Sequence, residues 1–228
     1  MKKIFSLLVV AAGALAMVAC TPSHDKTIAN LKAAIDGEST AAAKYAAFAD
    51  QAAADSLYNV EAMFRATAQA ETVHIKNHQE VLVSLGIADY VGTAAEFEVK
   101  TTAENIQAAI DGETHEFTEM YPGFIADAQA EKVDAAVVSF TYAQDAEKGH
   151  AAIYGEALAN IATPEVIAAA YFVCPKCGNT YAGTAADVCE FCQTSSADFI
   201  AFNATMPIAP VEEGAEVAVE EAAEPVVK

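Results

Sequence analysis

A ten-residue segment occurs twice in this chain, as NLKAAIDGES at residues 30–39 and as NIQAAIDGET at residues 105–114. Each copy lies in an alanine-rich stretch whose apolar residues recur every three or four positions, a spacing that predicts a helix. A glycine inside a helix costs about 1 kcal/mol relative to alanine, and a glutamate on an apolar face is separated from water. The repeat therefore predicts two helices that each point an acid, Glu38 or Glu113, into a shared interior.

Two further segments pair a glutamate with a histidine three residues later. The first, AETVH, contains Glu71 and His74, and the second, AEKGH, contains Glu147 and His150. Residues three apart lie on the same face of a helix. Each segment therefore predicts a helix that presents one carboxylate and one imidazole side by side.

Breaks in the helical pattern divide residues 25–161 into four helices of roughly 25 residues each. The breaks lie near residues 54–56, 86–93 and 131–134. Thr101 and Glu104 form a capping box that opens the third helix. The connection before it can cross the whole bundle, because about 16 extended residues reach roughly 50 Å. Two helical hairpins joined by one long crossover form the ferritin-like arrangement, so we expect an all-α four-helix bundle over residues 27–165.

The four glutamates fall at matching distances from the hairpin turns. Glu38 lies 17 residues before a turn at residue 55, and Glu71 lies 16 residues after it. In the second hairpin, Glu113 and Glu147 each lie 17 residues from a turn at residue 130. Equal distances from the turn of an antiparallel hairpin mean equal heights. We therefore expect the four acids to meet halfway along the bundle.

Four glutamates and two histidines at one level predict a metal site. A Glu-x-x-His motif from each of two helices, with a glutamate from each of the other two, is the ligand set of dinuclear carboxylate bundles. Carboxylates can bridge two cations and imidazole supplies a neutral donor, whereas unpaired acids here would repel one another. Solvated acids and core histidines are the simpler interpretation of any single residue, but not of the whole set. Gly37 and Gly112 are expected to relieve crowding beside Glu38 and Glu113.

Further residues flank this set. Glu116 follows Glu113 by three residues, whereas the matching position in the first helix is Ala41, so one metal has an extra carboxylate within reach. Tyr45 and Tyr121 lie two turns beyond the glutamates of the first and third helices. We expect them either to be core aromatics with satisfied hydroxyls or to form hydrogen bonds near the metals.

A cysteine-rich segment follows the bundle. YFVCPKCGNTYAGTAADVCEFC carries two C-x-x-C knuckles, formed by Cys174, Cys177, Cys189 and Cys192. Four thiolates at this spacing bind one tetrahedral metal, either zinc or a single iron. Disulfides and a thioredoxin-like pair are the competing interpretations, and the second lacks its strand-helix-strand context.

The start of the chain predicts export. MKKIFSLLVVAAGALAMVAC has two lysines, an apolar run too short to span a bilayer and small residues before Cys20, which is typical of a signal peptide over residues 1–19. Cys20 matches the acceptor cysteine of bacterial lipoproteins, although Met17 stands where that pattern usually has leucine. An ordinary signal peptide is the alternative. We expect an exported protein held in the cell envelope or periplasm by a lipid at Cys20, with residues 20–26 as a tether.

The charge of the chain excludes two classes of partner. The formal charge is −20, and it becomes −22 once residues 1–19 and their two lysines are removed. Such a surface repels nucleic acid and anionic lipid, so attachment to a membrane would depend on the acyl chain alone. Residues 207–228 combine Pro, Val, Ala and Glu without helical period and predict a disordered acidic tail.

Together, these motifs resemble those of the rubrerythrin family, in which a ferritin-like di-iron bundle precedes a small rubredoxin-like module. The resemblance covers residues from about 27 to 202. It is carried by the segments NLKAAIDGES, RATAQAETVHIKNH, NIQAAIDGETHEFTEMYP, AQDAEKGH and YFVCPKCGNTY. It implies a rubredoxin-like metal-binding β module over residues 171–202.

The resemblance also implies roles for individual residues. The di-iron ligands would be Glu38, Glu71, Glu113, Glu116, Glu147 and His150. Glu71 and Glu147 would bridge the two irons, and one iron would move between His74 and Glu116 when the oxidation state changes. Tyr45 would flank the centre together with Tyr121. The four cysteines would hold one iron, with zinc as the alternative that spacing leaves open.

The activity that this family implies is the reduction of hydrogen peroxide to water. Electrons would return through the Fe(Cys)4 site, and the module of one chain would serve the di-iron centre of its neighbour in a head-to-tail homodimer. The usual electron source of the family is cytoplasmic, so export implies a different, unidentified donor protein. Two other classes of function compete: a ferritin-like protein that binds or oxidises iron, and a bundle whose cysteine site holds structural zinc.

Three residues depart from the family pattern. Gln193 stands where glycine is usual, and Glu190 replaces a common proline. Both are expected to alter the amide hydrogen bonds to sulfur and hence the potential of the site. Gly149, inside the fourth helix, is expected to weaken that helix locally.

Overall fold

Two helical hairpins form the larger part of the structure, a computed structural model that describes residues 23–205. The helices are α1 (Asp25–Ala54), α2 (Tyr58–Ser84), α3 (Thr102–His115), α4 (Tyr121–Ala130) and α5 (Asp134–Ala159). A π-helical segment, Glu116–Met120, joins α3 to α4, and residues 85–101 cross from the first hairpin to the second. The predicted ferritin-like bundle is confirmed. The signal peptide, the lipid site at Cys20 and the tail over 207–228 lie outside the described residues.

The boundaries of the helices follow local sequence signals. The capping box is present as predicted, because the Thr101 side chain accepts from the Glu104 N–H and the Glu104 side chain accepts from the Thr101 N–H. The two hairpin turns place Ser56 (φ 61°) and Lys132 (φ 59°) in the left-handed region. The first helix begins at Asp25, inside the stretch predicted as a tether. Within residues 23–205, none of the helices has an apolar stretch long enough to cross a membrane.

The third helix is not the single α-helix that the sequence predicts. The N–H of Tyr121 bonds the carbonyl of Glu116, five residues earlier, which is the π-helical pattern. Pro122 follows, and its lack of an N–H removes an α-helical bond. The π turn absorbs one extra residue: Tyr121 lies eight residues after Glu113, whereas Tyr45 lies seven after Glu38. Both tyrosines consequently reach matching positions in the bundle.

The apolar core is divided into two clusters by a layer of acids. One cluster contains Phe48, Phe64 and Tyr154, and the other contains Leu31 and Phe140. On each of α1, α2 and α5, the predicted metal ligands lie between residues of one cluster and residues of the other, and Glu113 at the end of α3 lies between Ala109 of the first cluster and Tyr121 of the second. The bundle therefore seals the layer from both ends.

The role predicted for the two repeat glycines is wrong. A Cβ atom at Gly37 would have nothing within 4 Å, and one at Gly112 would meet only the end of the Lys44 side chain, at 3.6 Å. Both glycines point away from the crowded interior. Gly149 lies within α5, which continues without a break to Ala159.

A three-stranded antiparallel sheet forms the C-terminal module, as predicted. Its strands are β1 (Ala170–Val173), β2 (Thr180–Ala182) and β3 (Ile200–Asn203), in the order β2-β1-β3. All three strands contact α2, and β2 also contacts α5. The module therefore lies against the two helices that carry the Glu-x-x-His motifs.

Candidate metal centres

Six predicted ligands converge in the middle of the bundle. They are Glu38 on α1, Glu71 and His74 on α2, Glu113 on α3, and Glu147 and His150 on α5. Each of these side chains belongs to a residue no more than 1% exposed. The equal heights deduced from the hairpin turns thus bring the acids and imidazoles together in one buried layer.

The six residues form two overlapping sets of ligand atoms. One set is Glu38, Glu71, His74 and Glu147, and the other is Glu71, Glu113, Glu147 and His150. Within each set the ligand atoms lie within 4.8 Å of one another. Glu71 and Glu147 belong to both sets. Two carboxylates shared between two sites is the arrangement that a pair of bridged metal ions requires.

The two imidazoles have the same orientation. His74 Nδ1 lies 2.9 Å from Glu71 and 3.0 Å from Glu147, and His150 Nδ1 lies 2.8 Å from Glu147. The Nε2 atoms point the other way, to the Cys177 carbonyl oxygen at 3.2 Å and the Thr180 hydroxyl at 3.1 Å. An Nε2–H that donates to such an acceptor leaves the Nδ1 lone pair free for a metal.

The electrostatics of the layer are unfavourable for the protein groups alone. Burial and repulsion by Glu147 hold the pKa of Glu38 and of Glu113 well above the usual range. Burial lowers the pKa of His74, but attraction to Glu147 and Glu71 outweighs it and raises that pKa to about 10. Burial would raise the pKa of Glu147, but His74 and His150 lower it. Cations between these carboxylates would remove the repulsion.

The unpaired atoms of the layer also fit metal ions. Six buried side-chain atoms of the ligand set lack a hydrogen-bond partner: Glu38 Oε2, Glu71 Oε1, Glu113 Oε2, both Glu147 oxygens and His150 Nδ1. Buried polar atoms normally have hydrogen-bond partners, so six unpaired ones in a single cluster are unusual in a native protein that binds nothing there. The donors present, carboxylate oxygen and imidazole nitrogen, suit iron or manganese.

Glu116 lies beside the layer without joining either set. It is the first residue of the π segment and is half-buried. Burial, with repulsion by Glu147 and Glu71, raises its pKa to about 8. The structure therefore presents His74 to the first site and holds Glu116 nearby, which is one of the two states expected if these residues are alternative ligands.

Both predicted tyrosines form hydrogen bonds to ligand carboxylates. Tyr45 donates to Glu113 at 2.7 Å, and Tyr121 donates to Glu38. Each bond crosses from one hairpin to the other. Both rings are also buried in the apolar clusters, so the structure combines the two roles considered from the sequence.

The four cysteines of the module form a second cluster. Their Sγ atoms lie within 4.8 Å of one another, with Cys174–Cys192 at 3.4 Å and Cys177–Cys189 at 3.5 Å. Bonds of 2.3 Å in a tetrahedron place sulfurs about 3.8 Å apart. Within residues 23–205 these thiols are free, so the disulfide alternative is absent here.

The two knuckles have the same backbone shape. The N–H of Gly178 donates to the Cys174 carbonyl at 3.0 Å, and the N–H of Gln193 donates to the Cys189 carbonyl at 2.9 Å. Both residues are left-handed, with φ of 82° and 60°. Gln193 is therefore held in a glycine conformation, and its side-chain amide donates to the carbonyls of Cys189 and Glu190.

The module is docked on the bundle of its own chain. Besides the contact between His74 and Cys177, the Asn77 side chain donates to the Lys176 carbonyl at 2.9 Å. A Cβ atom at Gly178 would lie 2.1 Å from His74 Nε2. Within the single chain described, the module thus contacts the helix that carries His74.

Sequence reasoning missed several buried polar residues around the layer. His78 contacts Ser139 and Tyr121, Tyr154 donates to Thr67, and Thr180 contacts His150. The spacing of four between His74 and His78 places both on one helix face and could have revealed His78. Thr180 carried no signal, because its role depends on how the module docks.

The family model described as rubrerythrin matches residues 29–158, which contain every ligand of the buried layer. The chain belongs to the rubrerythrin family. Rubrerythrin-2 of Clostridium acetobutylicum is 31% identical over 173 residues, which cover 75% of this chain and 94% of that protein. Nigerythrin of Nitratidesulfovibrio vulgaris is 35% identical over 176 residues, which cover 77% of this chain and 86% of that protein.

The solved structures extend the likeness to both metal centres. A structure of fully reduced, all-ferrous nigerythrin has a TM-score of 0.74 and 34% identity, and the match covers 89% of this chain and all of that one. A structure of nigerythrin in a mixed-valence state has a TM-score of 0.72 with the same coverage. Rubrerythrins are oxidoreductases with a di-iron centre, and the Glu/His layer and the four cysteines supply the ligands for iron in this member.

Proposed function

We propose that this rubrerythrin is a non-haem di-iron peroxidase that reduces hydrogen peroxide to water. The observation that carries the proposal is the pair of ligand sets sharing Glu71 and Glu147 in a buried layer. Reduction of one peroxide to two waters consumes two electrons and two protons. When bound, a pair of ferrous ions supplies those two electrons, one from each ion, at a single location.

The residues of the layer hold the site together during this reaction. Glu71 and Glu147, which belong to both ligand sets, would hold the two cations together, and Glu38 and Glu113 would each hold one of them. Tyr45 and the equivalent Tyr121 fix those two outer carboxylates by hydrogen bonds. The apolar clusters on both sides exclude water, which strengthens the electrostatic interactions inside.

We place the return of electrons in the cysteine module. An iron held by the four thiolates would lie one hydrogen bond from the layer, because Cys177 accepts from the ring of the ligand His74 through its own carbonyl. This contact lies within one chain, so a single copy has both centres. A homodimer is supported by family membership, and sedimentation of the purified protein would measure it.

Anaerobic titration of the reduced protein with hydrogen peroxide tests the proposal. We expect two electrons to be consumed per peroxide and Glu71→Ala to abolish the reaction while leaving the colour of the cysteine-bound iron. Glu98→Ala, at an exposed position, is the matched control and should react as the unmodified protein does. Undiminished peroxide loss in Glu71→Ala would refute the assignment.

Metal analysis separates this function from its two rivals. Zinc at Cys174 and its three partners would favour a structural module, because zinc cannot pass electrons. Iron uptake far beyond the few ions that the two clusters hold would favour an iron-storing protein. Three irons per chain, two in the layer and one at the cysteines, is the result expected for the peroxidase.

Export with a lipid anchor at Cys20 is a separate proposal, supported by the signal-like residues 1–19. It places the protein in the cell envelope and requires an electron donor protein other than a cytoplasmic reductase. Mass spectrometry of the mature amino terminus would detect the acyl chains, and Cys20→Ala should release the protein from membranes. An unprocessed, unmodified terminus would contradict this.

A further inference from the structure

A line of hydrogen bonds leads from the acid layer to the protein surface. Tyr121, which donates to Glu38, has its hydroxyl 3.3 Å from His78 Nε2. His78 Nδ1 lies 2.7 Å from the hydroxyl of Ser139 on α5. Ser139 lines a surface pocket of about 330 Å³, which is bordered by Glu80 and other residues of α2 and α5. The line thus connects an outer carboxylate of the site, Glu38, to the surface pocket through three side chains.

The donors along this line all point inward. Tyr121 uses its hydroxyl hydrogen on Glu38, so it accepts from His78, which must then carry its hydrogen on Nε2. His78 Nδ1 is consequently the bare nitrogen and accepts from Ser139. The Ser139 oxygen retains lone pairs for water in the pocket. This is the orientation that moves a proton from the surface towards Glu38.

On the other side of the acid layer, the corresponding line of hydrogen bonds does not lead to the surface. His78 and Tyr154 occupy matching positions, each seven residues after a shared glutamate, Glu71 or Glu147. Tyr154 donates to Thr67 at 2.6 Å, and the Thr67 hydroxyl bonds carbonyls of its own helix. Among the described residues, the line of side-chain hydrogen bonds stops there, inside the aromatic cluster. Only the side with the histidine reaches the pocket.

We propose that Ser139, His78 and Tyr121 form a proton relay that supplies the peroxide reaction from the pocket. The inference rests on the proposed function, whose two protons per peroxide must cross a layer sealed by apolar clusters. Water in the pocket gives a proton to Ser139 as Ser139 gives its own to His78 Nδ1. The Nε2 proton passes to Tyr121, and the Tyr121 proton passes to Glu38 and on to a substrate oxygen. Every relay group loses one proton for each it gains, and the two electrons come from the ferrous pair.

The environment of His78 suits a relay. The ring is fully buried, between Tyr121 and Phe140, with centroids 6.1 Å and 5.2 Å away. Burial and the nearby His74 lower its pKa to about 3, so the ring is neutral and can both accept and donate. A neutral imidazole with one nitrogen bare and the other protonated is the group that a two-ended relay needs.

The protonation pattern can be measured without turnover. Nitrogen-15 NMR of the full chain loaded with zinc, which is diamagnetic, distinguishes the two tautomers of each histidine. We expect His78 to carry its proton on Nε2, and Ser139→Ala to leave that tautomer in place because Tyr121 still accepts. A proton on Nδ1 would reverse the hydrogen bonds and overturn the relay.

Single-turnover oxidation of the reduced, iron-loaded protein by peroxide tests the proton transfer itself. His78→Gln retains hydrogen bonding but cannot shuttle a proton, so we expect about a hundredfold slower oxidation, the contribution typical of a positioned acid. The solvent deuterium isotope effect should rise in this variant. Ser139→Ala should slow the reaction as well, and Ser139→Thr, which keeps a hydroxyl, should restore it.

Tyr154→Phe is the matched control, because it removes a hydroxyl at the equivalent position on the closed side. It should oxidise at the rate of the unmodified protein. Iron content and the spectrum of the cysteine site show that each variant is folded and loaded. Unchanged rate and isotope effect in loaded His78→Gln would overturn the relay. Absence of peroxide reduction in the unmodified protein would instead refute the proposed function, and the tautomer would still test the hydrogen-bonded line.

Discussion

Replacement of Gly178 by alanine should undock the cysteine module from the bundle. A Cβ atom there would lie 2.1 Å from His74 Nε2 and 2.7 Å from Cδ2 of the same ring. The His74 ring cannot move away freely, because Nδ1 on its opposite edge lies 2.9 Å from a Glu71 oxygen and 3.0 Å from a Glu147 oxygen. The backbone of the module must therefore move away from α2.

The magnitude has two parts. An alanine in the left-handed region costs about 1–2 kcal/mol, and inserting a methyl group into a packed contact costs about 1–3 kcal/mol. Gly178→Ala should therefore cost the module about 2–5 kcal/mol of stability, of which the contact with His74 accounts for about 1–3 kcal/mol. Gly183 supplies the control, because it is also left-handed (φ 76°) but a Cβ there would have nothing within 4 Å. Gly183→Ala should cost about 1–2 kcal/mol.

Hydrogen–deuterium exchange, measured by mass spectrometry, reports how well the backbone amides at the contact between the module and α2 are protected. In Gly178→Ala, exchange in the segment 161–173 and in the facing part of α2 should increase well beyond that in Gly183→Ala. Oxidation of the cysteine-bound iron after peroxide addition should slow in the same variant. Gln193, left-handed at the equivalent position of the other knuckle, shows that this backbone shape tolerates a side chain. Equal exchange in the two alanine variants would refute the argument.

Removal of the metals with a chelator should lower the free energy of unfolding by at least about 3 kcal/mol, because several buried charges lose their partners at about 1–3 kcal/mol each; an unchanged thermal midpoint would contradict the ligand assignment. Thr101→Ala should cost about 1 kcal/mol in urea unfolding, whereas Thr101→Ser, which keeps the cap, should cost little. Glu131 accepts from the N–H groups of Lys26 and Thr27 at the start of α1. Slight burial raises the pKa of Glu131, but these hydrogen bonds outweigh it and lower that pKa below its ordinary 4.5. The contribution of Glu131 to stability is therefore full above pH 4.5 and is lost as the pH falls through the lowered pKa of the folded state. Glu131→Gln should therefore flatten the acid side of the stability profile, and an unchanged profile would exclude this cap.

The positions of the ligands along the chain were enough to predict the bundle and the acid layer. The reason is geometric: rigid helices in antiparallel hairpins convert equal distances from a turn into equal heights. Glu38, Glu71, Glu113 and Glu147 could therefore be placed without any knowledge of side-chain packing. The four cysteines were equally accessible, since a short knuckle fixes its own geometry.

Features that depend on contacts between elements could not be predicted this way. The π turn arises because one extra residue lies between Glu113 and Tyr121. Spacing alone does not show whether the helix accommodates this residue in a π turn or turns all later side chains towards a different face. The role predicted for Gly37 and Gly112 was wrong because the periodicity of a helix does not show which way a single residue beside a ligand faces. The contact between His74 and Cys177 joins residues 103 apart in sequence and depends on how the module docks.

Mössbauer spectroscopy of the iron-57-loaded protein tests the central claim most directly. The claim is that Glu71 and Glu147, shared by the two ligand sets, would hold two irons together in one buried layer, while the four cysteines would hold a third. After oxidation by peroxide, we predict two magnetically coupled ferric ions for every isolated one. A spectrum with only isolated, uncoupled ferric ions would contradict the account.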